Sequence, residues 1–132
     1  MPKQASQRQI ILILGVMFTT CLSCGCASDE PPLSNSTKTY LEAKELIAKG
    51  QKEEALIALD ASIKESPTLW SLRDRAKLHA ERGEDKAARE DCEAALTVTP
   101  DDLDVFWIKG ELAKPKEQRF QGQFKNPPSS NR

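Results

Sequence analysis

TYLEAKELIAKGQKEEALIALDASIKESP, residues 39–67, can be laid over LRDRAKLHAERGEDKAAREDCEAALTVTP, residues 72–100, with every match offset by 33. Ala43 pairs with Ala76, Gly50 with Gly83, Ala55 with Ala88 and Leu59 with Cys92. Ser62, Ile63 and Pro67 pair with Ala95, Leu96 and Pro100. Each position has a physical reason. The first alanines are small where two helices of a hairpin cross, and Ala55 and Ala88 hold the second helix close to the first. Gly50 and Gly83 end the first helix, where a left-handed residue costs glycine least. Leu59 and Ile63, with their partners, fill a core at helical spacing. Pro67 and Pro100 stop the second helix, after which Thr68 and Asp101 are placed to cap the next. The pattern predicts an all-α fold of two antiparallel hairpins.

A third stretch, DDLDVFWIKGELA (101–113), supplies one further helix, in which Gly110 takes the small position and Pro115 follows the end. Stacked repeats need such a helix to cover the apolar edge of the last unit. The expected helices fall near 38–49, 52–65, 69–82, 85–98 and 102–113. Two and a half units are few for an array that usually wants about three repeats, so self-association into a homo-oligomer is an expected way to cover what stays exposed.

Small, Gly, Ala and Pro positions in this order resemble the tetratricopeptide repeat, a helix–turn–helix unit of about 34 residues. The resemblance covers residues 37–113. The second unit is one residue short before Ala76, and Glu42 and Arg75 stand where the family prefers Leu. The resemblance implies a short α-solenoid over residues 38–113, formed by two repeats and a C-terminal capping helix. It also implies a groove for extended peptides along the inner face of the first helices. Carried over residue by residue, that face holds Tyr40, Lys44 and Ile47 in the first unit, Trp70, Arg73 and Lys77 in the second, and Trp107 and Glu111 in the cap. Trp70, Arg73 and Lys77 are spaced to share one helix face. A basic, aromatic groove of this kind suits an acidic segment or a C-terminal carboxylate. The Asn residues with which carboxylate-gripping members hold a tail are absent, so that activity is not implied.

The chain has 132 residues, enough for one small domain. Its net charge of −1 is unevenly spread: residues 1–25 carry +2, residues 26–113 carry −7 and residues 114–132 carry +4. An acidic body argues against nucleic acid, whose binding needs a basic surface to neutralise phosphates.

Residues 1–25 have the make-up of a signal peptide: Lys3 and Arg8, then the uncharged run IILILGVMF, then small residues. A single membrane-spanning anchor is the competing reading, because residues 9–28 are all uncharged; the strongly apolar part is short for a span. The segment LSCGC (22–26) resembles the lipobox of bacterial lipoproteins. The resemblance implies lipidation at Cys26, preceded by Gly25, with Cys24 as second choice and a non-lipid cut after Ala27 left open. It further implies an exported protein held by its lipid to a membrane of the cell envelope, facing the periplasm or the exterior. Acyl chains contribute about 0.8 kcal/mol per buried CH₂, so several chains on one cysteine anchor durably.

Cys21, Cys24 and Cys26 also form a CxxCxC cluster, but a structural zinc site wants four ligands, usually as two pairs. No second pair exists, and the one histidine is His79. No metal, cofactor or catalytic constellation is expected: there is no Walker loop and no GxGxxG. His79 reads as a packing residue and Cys92 as a small core hydrophobe. Residues 26–37 read as a flexible tether, and 114–132, rich in Pro, Gln, Ser and Asn, as a disordered basic tail. The expected function is a non-enzymatic adaptor that binds a protein partner; the alternatives are a structural, self-assembling envelope component and, behind it, a redox or metal protein built on the cysteine cluster.

Overall fold

In a computed structural model, residues 32–131 are described; the signal segment, Cys24 and Cys26 lie outside them. The helical unit begins at Leu33. Among the described residues it is all-helical, with no strand: α1 (Asn35–Ala48), α2 (Lys52–Glu65), α3 (Leu69–Arg82), α4 (Asp85–Val98) and α5 (Leu103–Leu112). α1 packs on α2, α3 on α4, and α2 on α3, while α5 lies against both helices of the second hairpin. This is the packing of a short helical-repeat stack. None of these helices is long and apolar enough to cross a membrane.

The repeat residues act as expected. Gly50 and Gly83 have φ of +76° and +80°, and the amides that follow turn back to Leu46 O and His79 O. Those bonds satisfy carbonyls the helix ends would leave open. Ser66 and Thr99 are extended, as the prolines after them require. Thr68 caps α3 by accepting from the Ser71 amide. The cap of α5 is Asp102, which accepts from Val105 N, rather than Asp101.

Ala43, Ala55, Ala76 and Ala88 are each fully buried, so the hairpins close backbone on backbone. One core cluster joins Ala43, Ala55 and Leu59 to Leu78 of α3; the other joins Ala76, Ala88 and Cys92 to Val105, Ile108 and Leu112 of α5. Between α1, α2 and α3 a hydroxyl network replaces apolar filling. Ser36 donates to Ser62 O, Ser62 donates to Ser36 O, and Ser62 Oγ lies 2.9 Å from Ser71 Oγ.

Arg75, standing where leucine was favoured, explains itself. It donates two bonds to Asp91 on α4 and one, at 2.6 Å, to Asp60 on α2. The guanidinium thus bridges the two hairpins, and Asp91 is buried because it has this partner.

Two expected boundaries differ. The flexible tether was expected to reach residue 37, but α1 starts at Asn35, because Ser34 accepts from Thr37 N and caps it. The expected disordered tail is instead folded back as three short 3-10 turns, Lys116–Gln118, Gly122–Phe124 and Pro128–Asn131. Its anchor is Arg119, which donates to Ala80 O and Leu112 O, at the C-terminal ends of α3 and α5, and to Lys114 O. It also forks onto Asp85, at the N-terminus of α4, at 2.6 and 2.9 Å. A cation at two helix C-termini and an anion at a third helix's N-terminus both suit the helix dipoles. These partners are remote in sequence, which is why the tail has no local pattern.

Candidate functional site

α1, α3 and α5 line a cleft of about 440 Å³. Of the residues expected to form a groove, it holds Lys44, Ile47, Arg73, Lys77 and Trp107. Tyr40 and Trp70 line a shallower neighbouring depression. Trp70 is 51% exposed, and the Arg73 guanidinium lies 4.9 Å from its ring centre. Glu111 does not line the cleft. It is buried and accepts from the Phe120 amide at 2.7 Å and from Lys114, so its role is to hold the folded-back tail.

The cleft is not simply basic. Lys44, Lys52, Arg73 and Lys77 share it with Asp74, Glu81 and Asp104, and each cation has an acid nearby. Lys44 Nζ lies 3.1 Å from Asp74, Lys52 2.6 Å from Glu81, Lys77 3.5 Å from Glu81, and Arg73 2.8 Å from Asp104. Tyr40 donates to the same Asp74; burial, reinforced by that carboxylate, pushes its phenol well above the usual range. The expectation of a basic groove is therefore corrected: the surface is nearly balanced, with positive charge toward α1 and a buried carboxylate at the α5 end. Asp74 and Glu81 stand on α3 beside the cations they neutralise, and Asp104 reaches Arg73 from α5.

Lys77 also meets two aromatic rings. Its ammonium lies 5.9 Å from the Trp107 ring centre and 5.7 Å from that of Phe120, and the two rings meet edge to face at 5.1 Å. The result is an aromatic floor under a half-exposed cation. The indole N–H of Trp107 is buried without a hydrogen-bond partner, a costly state for a donor.

Two further reactive side chains among the described residues, His79 and Cys92, lie outside the cleft lining. His79 Nδ1 sits 2.5 Å from Glu84 Oε2, which, with Arg82, holds that carboxyl below its ordinary range. Cys92 is fully buried, and burial pushes its thiol up to about 11. Among the described residues no group of three or more His, Cys, Asp or Glu is placed to hold a metal ion.

No family model matches the chain, and neither the curated proteins nor the solved structures contain a match to it.

Proposed function

We propose that this protein is an exported, lipid-anchored adaptor of tetratricopeptide-repeat type, which holds a partner protein at the bacterial cell envelope and carries out no catalysis. The observation that supports it is the cleft between α1, α3 and α5, where Lys44 and Lys77 stand beside Ile47 and Trp107. Apolar surface beside fixed charges suits an extended segment of another protein, with side chains to be covered and backbone groups to be oriented. The N-terminal pattern of Lys3, Arg8, the apolar run and Gly25-Cys26 supports export and anchoring.

The test is replacement of Lys44 and Lys77 together by Gln, followed by recovery of envelope partners. Arg73 is spared, because its pairing with buried Asp104 makes its removal a folding defect. Loss of a partner that the parent chain retains is expected; an unchanged partner set refutes the cleft as the binding surface. Intact mass measurement tests the anchor separately, the expected species beginning at an acylated Cys26.

The second reading, a self-assembling envelope component, draws on exposed apolar side chains away from the cleft. Ile57 is 70% exposed, and Leu103 and Phe106, one turn apart on α5, are 53% and 49% exposed. A concentration-dependent mass in sedimentation would favour it.

A further inference from the structure

The α5 end of the cleft is already occupied by the chain itself. Ser129 donates its backbone N–H to Asp104 Oδ1 at 2.9 Å and its hydroxyl to Asp104 Oδ2. Arg73 donates to the same Oδ2 at 2.8 Å. Asp104 is only 2% exposed, and two of these three donors come from one serine. Pro127 and Ser129 line the cleft with Trp107, and Pro128 and Phe124 line a second depression that Trp107 also borders. The turn is locked within itself, since Ser130 returns both its N–H and its hydroxyl to Pro127 O.

This contact has the chemistry of recognition. A carboxylate accepting both an N–H and an O–H from one residue selects serine over residues that lack a hydroxyl. Two adjacent prolines pre-set the backbone and lower the entropy lost on docking. Asp102 and Asp104 share the one guanidinium of Arg73, so the site beside them disfavours an acidic segment. The described tail around it, residues 121–131, carries Lys125 and no acid. The α1 half, with Lys44 and Ile47, is left open.

We propose that the α5 end of the cleft is a receptor site for a Pro–Ser turn, filled in cis by this chain's own Pro127–Ser130. A partner presents a segment of the same chemistry, proline-containing, serine-bearing and not acidic, and binds by displacing the tail. This rests on the reading of the cleft as a peptide site and names its ligand class.

The test uses a fluorescent synthetic peptide of residues 121–132, QGQFKNPPSSNR, titrated by anisotropy. It is expected to bind a chain ending at Gln121, which keeps Arg119 and Phe120, at least about tenfold more tightly than it binds the full chain. The same peptide carrying Ser129→Asp is expected to lose about tenfold or more, since a second carboxylate then faces Asp104. Should the shortened chain lose its helical circular dichroism, the full chain carrying Ser129→Asp replaces it, with the same tenfold gain for the unmodified peptide. Equal binding to the open and closed chains, or indifference to Ser129→Asp in the peptide, overturns the proposal. Such a failure leaves the Lys44 and Lys77 experiment standing, so the two readings fall separately.

Discussion

Replacing Arg119 by Ala removes the residue on which three helix ends and the tail converge. The side chain is 5% exposed and forks onto Asp85. Removing one member of a buried ion pair costs about 3–5 kcal/mol. Asp85 retains 41% exposure and rehydrates, and water reaches the freed carbonyls once the tail lifts, so about 2 kcal/mol is the expected loss. For a domain of this size each kcal/mol lowers Tm by about 4–8 °C, which places the variant roughly 8–16 °C below the parent in thermal melts followed by circular dichroism. Arg119→Lys keeps the charge but not the fork and should fall between the two. Lys125→Ala, whose side chain anchors none of these contacts, should melt with the parent. A Tm for Arg119→Ala within about 2 °C of the parent would refute the idea that the tail is part of the folded unit.

Three further outcomes follow from individual contacts. Arg75→Leu removes the guanidinium and strands Asp91, whose side chain is 7% exposed. A loss of about 3 kcal/mol in urea unfolding is expected, largely recovered when Asp91 is also made Leu; no loss in the single variant would contradict the bridge between hairpins. Cys92, with its thiol raised to about 11 by burial, should resist iodoacetamide at neutral pH until denaturant is added, as read by peptide mapping; rapid native labelling would contradict its place in the core. Asp85 has its carboxyl lowered chiefly by the hydrogen bond from Arg119. A lowered folded pKa adds stability that is complete above the unfolded value, about 3.8, and is lost as pH falls through the folded value. The difference in Tm between the parent and Asp85→Asn should therefore shrink on acidification below about pH 4; a difference that stays constant with pH would contradict it.

The helical frame was legible because glycine and proline mark it at both ends. The ranges 52–65, 69–82 and 85–98 coincide with α2, α3 and α4. They are bounded by Gly50, Pro67, Gly83 and Pro100, whose backbone limits act locally. α1 starts at Asn35, three residues before the expected 38, because Ser34 takes the Thr37 amide. What could not be read was held by partners distant in sequence. Arg119 meets Ala80 and Asp85 39 and 34 residues away, and Ser129 meets Asp104 25 residues away. A stretch with no period of its own reads as disorder until such partners are seen. The cleft was half legible for a related reason. Lys44, Arg73, Lys77 and Trp107 follow from the repeat resemblance carried over position by position, whereas the neutralising Asp74, Glu81 and Asp104 carry no pattern that sets them apart from a solvated face.

The central claim, that the cleft holds a segment of a partner, is tested most directly by site-specific photo-crosslinking in intact cells. A benzophenone amino acid is placed at Lys44, inside the cleft, and in a separate strain at Lys86, whose side chain is 92% exposed on α4 and lies outside it. A discrete adduct formed from position 44 and missing from position 86, and lost when Lys77→Gln is added, is the predicted result. Identical adducts from both positions, or none from position 44 while the protein is folded and abundant, would contradict the account.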